Sequence, residues 1–174
     1  MNASGSRGAT LARAIAPSLA TLLIATPFAA SLAEDDYEDL LGGFEDEFGD
    51  TDIDVFDEEL AQRIARMWDV MYEAGGVGLA APQVGWSARL LVLNPEGSRD
   101  DTSGEMVVIN PRVVNKWGKA TAQEGCLSFP DIFVDVSRPA GVRLQWQDET
   151  GEQHESDFND FVARILQHEN DHLE

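Results

Sequence analysis

The chain has 174 residues, of which 43% are hydrophobic, and a formal net charge of −20. This length accommodates one ordinary domain with an extension, and the hydrophobic content is compatible with a packed core. The negative charge argues against a nucleic-acid-binding surface, because it would repel a duplex instead of displacing its counterions. The single cysteine cannot form an internal disulfide, so cysteine usage does not indicate an oxidising compartment.

Residues 1–33 have the pattern of a targeting segment. They contain two arginines and no acidic residue, and the stretch 11–30 is mostly apolar. This pattern predicts a secretory signal peptide cleaved after Ala33, where small residues occupy the positions that a signal peptidase reads. Pro17 and Pro27 argue against a long membrane-spanning helix. An organellar transit peptide is the first alternative, and a disordered tail or a fusion artefact is the second.

Residues 34–56 form a strongly acidic segment. From Glu34 to Glu58 the chain has 13 acidic residues and no basic one. Such a run is usually solvated and poorly ordered, because like charges repel and little apolar surface can be buried. The sequence therefore predicts a disordered linker over residues 34–56 and a folded catalytic domain over residues 57–174.

An amphipathic helix is predicted after Asp57, whose carboxylate can cap the first turn. The pair Gly75–Gly76 ends it. Apolar residues at helical spacing form one stripe, which we interpret as core packing without chemistry. The stripe consists of Leu60, Ile64, Met67, Trp68 and Met71.

A segment rich in glycine and alanine follows, from Gly76 to Gly85. Small side chains let another backbone come close, which suits a groove where an extended peptide lies along a strand-like edge. Gln83 offers a side-chain amide to a developing oxyanion. A tight connection without chemistry is the alternative. The phosphate-cradle interpretation fails because no Lys-Ser/Thr pair follows.

The middle of the chain is rich in predicted strands. They cover residues 88–93, 105–109, 113–117, 132–137, 142–146 and 153–157. The turn sequence Asp148–Gly151 joins the last two as a hairpin, and the segment with Cys126 lies between the third and the fourth. A final helix is predicted from Phe158. The order of one helix, several strands and one helix predicts an α+β domain.

The final helix contains two histidines four residues apart, His168 and His172, with Glu169 beside the first. At this spacing both imidazoles lie on one helix face and can reach one metal ion, with the carboxylate as a proton acceptor. A solvated histidine pair is the alternative. An apolar stripe runs into the motif, so that alternative would have to explain three buried polar groups. The stripe consists of Phe158, Phe161, Val162, Ile165 and Leu166.

A catalytic metal site of this type needs a third protein ligand and an open position for water. Only Leu173 and Glu174 follow the second histidine, so the third ligand is expected from earlier in the chain. Cys126 is the best candidate, because a thiolate binds borderline and soft divalent metals strongly. His154 and several carboxylates are alternatives, and a lone cysteine can also be a small buried hydrophobic residue.

Three segments in this order resemble the motifs of the peptide deformylase family. Gly76 to Gln83 matches Gly-φ-Gly-φ-Ala-Ala-x-Gln, Glu124 to Ser128 matches Glu-Gly-Cys-φ-Ser, and Gln167 to His172 matches Gln-His-Glu-φ-Asp-His. The similarity extends from about Glu58 to Leu173. It implies small mixed or antiparallel sheets packed around a C-terminal helix that carries the His-Glu-x-x-His motif. It also implies a hydrolase that removes the N-formyl group from the N-terminal methionine of newly made polypeptides.

Carried over residue by residue, the resemblance implies that one divalent metal is held by Cys126, His168 and His172. In this family the metal is typically ferrous iron, with zinc, nickel or cobalt as substitutes. The resemblance further implies that Glu169 takes a proton from metal-bound water and passes it to the leaving amine. The Gln83 side chain and the Leu127 backbone N–H would stabilise the oxyanion.

The resemblance also implies substrate-binding and supporting roles. The implied peptide-binding residues are Gly76, Val77, Gly78, Ile165 and Leu166. Glu124 would support the cysteine loop from behind the ligands, with Arg138 as a candidate partner. The implied partners are N-formylmethionyl peptides and nascent chains near the ribosome, without direct nucleic-acid binding. The resemblance implies that the protein is a monomer and that it acts in the cytoplasm or in an organelle.

Several features depart from the family pattern. Asn170 occupies an apolar position of the last motif, and the leader in residues 1–33 conflicts with work on nascent chains. The family's N-terminal strand and C-terminal tail are expected to be missing. A helix that ends at its own ligand is expected to fray, because its last carbonyls lack partners, so we expect weak metal retention or no activity. The alternatives to an active deformylase are a peptide-binding module without catalysis and an exported metalloprotease-like hydrolase.

Overall fold

The computed structural model describes residues 51–174, and its first helix has the boundaries that the capping residue predicts. Helix α1 covers Glu58–Glu73. The Asp57 side chain accepts a hydrogen bond from the Leu60 backbone N–H at 3.0 Å, which satisfies one donor of the open first turn. Gly75 follows the helix with a φ of +68°, a left-handed conformation that glycine adopts at little cost. The predicted helix is confirmed.

Seven strands follow, and five of them form one antiparallel sheet in the order β1-β2-β3-β6-β7. The strands are β1 (Gly78–Ala80), β2 (Leu90–Leu93), β3 (Met106–Trp117), β4 (Ala120–Cys126), β5 (Phe129–Arg138), β6 (Gly141–Gln147) and β7 (Gln153–Asn159). Strands β4 and β5 form a separate two-stranded hairpin. A short 3-10 helix at Ala81–Val84 connects β1 to β2. The turn predicted at Asp148–Gly151 joins β6 to β7, as expected.

The sheet is covered on both faces, which explains the unbroken apolar run of β2. Leu90 and Val92 pack with the buried residues of α1, whereas Leu91 and Leu93 pack with the final helix, α2 (Asp160–Asp171). Since strand side chains alternate between faces, α1 and α2 lie on opposite sides of the sheet. The predicted α+β class, with antiparallel sheets packed around a C-terminal helix, is confirmed.

Strand β3 joins two segments that the sequence predicts as separate strands, 105–109 and 113–117. The register against β6 shifts between Ile109 and Arg112, where Asn110 has a φ of +51°. Proline in the intervening Asn-Pro pair cannot donate to a sheet ladder, so the sequence pattern indicates a break. The chain instead continues as one strand through a local irregularity.

Strand β4 is missing from the sequence prediction. Its residues, from Ala120 to Cys126, are small or polar and lack apolar alternation. Its extended conformation comes from antiparallel pairing with β5, which is longer at both ends than the predicted segment 132–137. A Cβ at Gly125 would lie 2.8 Å from the Phe133 ring opposite, so glycine permits this close cross-strand contact.

The predicted start of the last helix at Phe158 is wrong. Phe158 belongs to β7 and lies opposite Val142 of β6, and α2 begins at Asp160 after the extended Asn159. The Phe158 side chain packs against the core beneath α2. An apolar residue in this position fits both a strand and the first turn of a helix, so periodicity could not distinguish them.

Residues 51–56, at the end of the segment predicted as a linker, pack against the domain. Thr51 forms a parallel bridge with Ala88. The backbone of Ile53 exchanges two hydrogen bonds with the Asn110 side chain, at 2.8 and 2.7 Å. The folded region therefore includes residues ahead of the predicted boundary at 57.

The remaining predictions for the N-terminal part concern residues outside those that the structure describes. These are the targeting segment at 1–33 and the acidic residues 34–50. Within residues 51–174, neither helix is both long and apolar enough to cross a membrane.

Candidate active site

Cysteine and histidine side chains from two distant parts of the chain meet beside the edge of the sheet. Cys126 is the last residue of β4, His168 lies in the last turn of α2, and His172 caps that helix. The Cys126 Sγ atom lies 3.4 Å from the His172 Nε2 atom. One ligand atom from each of the three residues lies within 4.8 Å of the other two. One cation can therefore contact all three side chains.

The alternative third ligand, His154, lies elsewhere. Its Nε2 atom is 2.7 Å from Asp148 Oδ2 in the β6–β7 hairpin, and its ring stacks on Trp146. It forms a separate group with Asp148 and Glu152. Of the two candidates that we named from the sequence, Cys126 is the one that lies beside the histidine pair.

Glu124 forms the centre of a buried charge network behind these three residues. Its carboxylate accepts hydrogen bonds from Arg138 at 2.7 and 3.0 Å and from Arg164 at 2.5 Å. The His168 Nδ1 atom lies 3.1 Å from the Glu124 Oε2 atom. When Nδ1 is protonated it donates to this carboxylate, which fixes the ring and leaves Nε2 for a cation.

Sequence prediction missed Arg164. Its guanidinium also donates to the carbonyls of Ala120, at 2.9 Å, and Val136, at 3.1 Å, so it ties α2 to both strands of the β4–β5 hairpin. The residue is 9% exposed, and it lies four positions before His168. An arginine within an apolar helical stripe was the available signal, because a buried arginine normally needs an acidic partner.

The ionisable groups around Cys126 shift one another's pKa values. Burial opposes ionisation of the thiol, but hydrogen bonds from His168 and His172 outweigh it and lower the pKa of Cys126 to about 5. The hydrogen bond to Cys126 raises the pKa of His168 to about 9 in spite of burial. The thiol is therefore poised as a thiolate, which is the form that binds a metal, and a cation would displace the imidazolium proton.

Glu169 is a buried carboxylate with an unused acceptor. Burial raises its pKa to about 7, although the nearby histidines act in the opposite direction. Its Oε2 atom has no hydrogen-bond partner among residues 51–174. An orphaned buried oxygen is costly, so its presence indicates that the site receives a further polar group. A carboxylate with this pKa can both accept and return a proton near neutral pH.

Gln83 is held in a defined orientation beside Cys126. Its Oε1 atom accepts from the Ala80 backbone N–H at 2.8 Å. Its Nε2 atom donates to Ser128 Oγ at 3.1 Å and lies 3.8 Å from Cys126 Sγ. The side-chain N–H groups of Gln83 therefore point to the region where Cys126 and the histidines meet.

A cavity of about 480 Å³ opens over these groups. Its lining contains three of the residues predicted to bind substrate, Gly76, Val77 and Gly78, together with Gln83, Cys126, Leu127, His168 and Glu169. The β4–β5 hairpin adds an apolar wall that sequence prediction missed, formed by Phe129, Ile132 and Phe133. These three side chains are 56–63% exposed, so their apolar surface is available to a ligand in the cavity.

The other two residues predicted to bind substrate lie in the core and are not part of the cavity lining. Ile165 and Leu166 are 4% and 2% exposed and pack with β2 and β3. A Cβ at Gly78 would lie 2.8 Å from Ile165 Cγ2, so Ile165 supports the cavity wall from behind. Substrate binding by these two residues stays a prediction, and the resemblance on which it rests does not reveal which members of an apolar helical stripe reach the ligand side.

The end of α2 is bonded to and packed against the rest of the domain. The Leu173 side chain is 1% exposed and belongs to the core cluster between α2 and the sheet. The Leu173 carbonyl accepts a hydrogen bond from Arg89 at 3.0 Å. The expectation that the last carbonyls lack partners is therefore wrong for Leu173, because Arg89, just ahead of β2, supplies the donor.

The residues in the site fit a divalent metal. A thiolate and two imidazoles are a typical donor set for a borderline cation, and three protein ligands leave one position for water or substrate. The unpartnered Glu169 oxygen lies beside them, where a group bound at that position could donate to it. Glu124 supplies the carboxylate that commonly orients a ligating histidine.

We expect Glu124→Gln to lower the free energy of unfolding by about 3–5 kcal/mol, because it leaves the buried Arg164 without its anion and Arg138 with only the exposed Asp171 as a partner. The Glu124 side chain is 7% exposed. Although burial opposes ionisation, hydrogen bonds from Arg138, His168 and Arg164 lower its pKa from 4.5 to about 2. The stabilisation should thus be complete above pH 4.5 and disappear as the pH falls through about 2.

Urea unfolding of the metal-free protein at pH 7 measures this loss. Glu155→Gln is the matched control, because Glu155 is 44% exposed and lies 3.7 Å from Arg143. Its loss should cost less than about 1 kcal/mol. Equal effects of the two substitutions would contradict the buried network.

Comparison with known proteins agrees with this geometry. The family model "Polypeptide deformylase" matches residues 49–174. The chain is 48% identical over 119 residues to a peptide deformylase of Chlorobaculum parvum, covering 68% of this chain and 64% of that protein. It is 45% identical over 123 residues to peptide deformylase 1B, chloroplastic/mitochondrial, of Arabidopsis thaliana, covering 70% and 45%. The chain thus spans less than two thirds of the length of these relatives.

The fold agrees as well. A crystal structure of a peptide deformylase from Synechococcus elongatus in complex with actinonin superimposes with a TM-score of 0.69 at 38% identity, covering 75% of this chain and 72% of that one. A peptide deformylase from Thermotoga maritima gives 0.66 at 41% identity, covering 71% and 81%. The family model covers both α2 and the hairpin that carries Cys126, and the chain belongs to the peptide deformylase family.

Proposed function

We propose that this protein is a metal-dependent peptide deformylase, which hydrolyses the formyl amide at the N-terminal methionine of newly made polypeptides. The observation that carries the proposal is the convergence of Cys126, His168 and His172 beside a buried carboxylate at one cavity. A divalent cation in this donor set would polarise the formyl carbonyl and acidify water. We propose that the metal is ferrous iron, with zinc, nickel or cobalt as substitutes.

Glu169 is the proposed proton carrier. It takes the proton of the attacking water and delivers it to the amine of the departing methionine, which leaves formate as the other product. Its raised pKa, about 7, suits both steps, because the group is neither a permanent anion nor a permanent acid near neutral pH. The unpartnered Oε2 atom supports this role.

The proposed oxyanion donors are the Gln83 side-chain amide and the Leu127 backbone N–H. Gln83 is preorganised by its bond to the Ala80 N–H, so little reorganisation is needed during reaction. Leu127 directly follows Cys126 and lines the same cavity. Each donor to a developing oxyanion contributes about 3 kcal/mol to lowering the barrier.

The proposed peptide site lies along β1, which is an edge strand of the five-stranded sheet. An extended peptide can pair with such an edge, as in other strand-addition complexes. Gly76, Val77 and Gly78 border the cavity there, and Phe133 with Ile132 faces them from the hairpin. We propose that this apolar wall contacts the methionine side chain, in place of Ile165 and Leu166.

The proposed cellular location is based on the relatives, which include bacterial, chloroplastic and mitochondrial deformylases. We propose N-formylmethionyl nascent chains as partners, a monomeric state, and action in the cytoplasm or an organelle. Residues 1–33 are proposed as a targeting segment and the acidic residues that follow as a linker to the domain.

Release of formate from formyl-Met-Ala-Ser by the iron- or nickel-loaded full chain tests the proposed function. Acetyl-Met-Ala-Ser is the matched control, followed by the free amine that both substrates release because it yields acetate and not formate, and its larger acyl group should be cleaved far more slowly. Well-folded, metal-loaded protein that releases no formate would contradict deformylase activity and favour a peptide-binding module. Cleavage of internal peptide bonds instead would favour a metalloprotease-like hydrolase.

We expect Gly78→Ala to lower kcat/KM at least 10-fold, because the added Cβ would lie 2.5 Å from Glu169 Oε1 and 2.8 Å from Ile165 Cγ2. These atoms must move, at a cost of about 1–3 kcal/mol in stability, and Glu169 is displaced from the reacting groups. Gly85→Ala is the control. It has a φ of +81° and nothing within 4 Å of its added Cβ, and it does not line the cavity, so it suffers backbone strain alone. If both variants keep the kcat/KM of the wild-type protein, Gly78 does not position Glu169.

A further inference from the structure

Arg89, just ahead of β2, holds three separate parts of the domain together. Its two terminal guanidinium nitrogens donate to the carbonyl of Leu173 at 3.0 Å and to that of Pro111 at 2.9 Å. Its Nε atom lies 3.4 Å from Asp52 Oδ1. The Arg89 side chain is 20% exposed, so these contacts are mostly shielded from water.

The bond to the Leu173 carbonyl reaches the residue that directly follows the proposed metal ligand His172. The His172 N–H bonds to the Glu169 carbonyl at 3.2 Å and the Leu173 N–H bonds to the Asn170 carbonyl at 3.0 Å, which closes the last turn of α2. Carbonyls at a helix C-terminus have no partners within the helix, and an arginine there supplies both a donor and a complementary charge. Arg89 therefore acts on the backbone that carries His172.

The other two contacts fix the guanidinium itself. Pro111 lies in the irregular stretch of β3, between Ile109 and Arg112, where its carbonyl is available to Arg89. The backbone of Arg89 is also tied, since its N–H bonds to the Thr51 carbonyl at 3.0 Å. A planar guanidinium can bind two carbonyls and a carboxylate at once, whereas a lysine ammonium cannot match this fork.

We propose that Arg89 is a positioning residue, which fixes the last turn of α2 and thereby places the His172 ring opposite Cys126. The inference rests on the metal site of the proposed function. Arg89 does not touch the reacting groups, and it acts through the Leu173 carbonyl. Without it, the His172 ring samples orientations in which its Nε2 no longer faces Cys126 Sγ, and a cation held by the three ligands escapes faster.

Loss of nickel to a chelator from the full chain, wild type against Arg89→Met, tests this role. We expect the dissociation rate to rise about 10-fold or more, because loss of a group that orients a metal ligand commonly lowers metal affinity about 10–100-fold. Arg89→Lys, which keeps the charge without the fork, should also raise the rate and provides the answer if the Met variant does not fold. Hydrogen exchange at the His172 and Leu173 amides should become faster in both variants.

Two controls separate positioning from general destabilisation. Arg143→Met removes a 45%-exposed arginine of the same sheet that pairs with Asp157. Ile64→Val weakens the core on the α1 face, away from α2. Both should release nickel at the wild-type rate. Unchanged release from both Arg89 variants, or equally faster release from Ile64→Val, would overturn the role of Arg89. Failure of the wild-type protein to hold nickel would instead contradict the proposed metal site itself.

Discussion

Replacing Glu169 with glutamine is expected to reduce kcat for formyl-Met-Ala-Ser about 10²–10⁴-fold, while the protein keeps its metal. Glutamine has nearly the same shape but cannot accept the proton of the attacking water or return it to the amine. The histidines and Cys126 are unchanged, so metal content should stay stoichiometric. Formate release and elemental analysis of the same sample measure both quantities. Activity close to wild type in Glu169→Gln would show that another group carries the proton.

The same substitution should change how the stability of the metal-free protein depends on pH. Burial raises the pKa of Glu169 from 4.5 to about 7. In the unfolded chain the group ionises near 4.5, so the wild-type fold loses stability as the pH rises from 4.5 through 7. Glu169→Gln removes this loss, and its Tm relative to wild type should be higher at pH 8 than at pH 5.

Cys126→Ser is expected to abolish stoichiometric metal binding and thereby to lower the activity at least 100-fold. Serine keeps the size of the side chain but replaces a thiolate, with a pKa lowered to about 5, by a hydroxyl that stays protonated. Two histidines alone leave the cation with too few protein ligands. Elemental analysis after gel filtration measures the loss.

Ser128→Ala is the matched control for this experiment. Ser128 lies two residues further along the same turn and accepts a hydrogen bond from Gln83 at 3.1 Å, but it contributes no ligand. It should retain metal at the wild-type level. Full metal occupancy in Cys126→Ser, or equal metal loss in both variants, would contradict the assignment of Cys126 as a ligand.

Local sequence signals correctly predicted those elements whose residue pattern is compatible with only one type of secondary structure. Asp57 with a helical apolar stripe specified α1, and Asp148–Gly151 specified the β6–β7 turn. The i, i+4 spacing of His168 and His172 placed both rings together because helix geometry fixes that distance. Thiolate chemistry identified Cys126 as the best third ligand, and its amide made Gln83 a candidate oxyanion donor. The family resemblance supplied the role of Glu124 and connected these residues, which are remote in sequence.

Sequence reasoning failed where tertiary contacts decide the outcome. Strand β4 has no apolar alternation and forms by pairing with β5, and Phe158 fits a strand as well as a helix. Leu166, which the family resemblance implied as a substrate-binding residue, is 2% exposed and packs in the core. The roles of Arg164 and Arg89 depend on carbonyls 22 to 84 residues away in sequence, which no periodicity could indicate.

The ligand set can be measured directly by X-ray absorption of the zinc- or nickel-loaded full chain. We expect one sulfur donor at about 2.3 Å, two imidazole nitrogens at about 2.0–2.1 Å and one lighter oxygen donor from solvent. A wild-type spectrum without sulfur, or with only one imidazole, would show that Cys126, His168 and His172 do not hold one cation together, and the proposed chemistry would lose its basis.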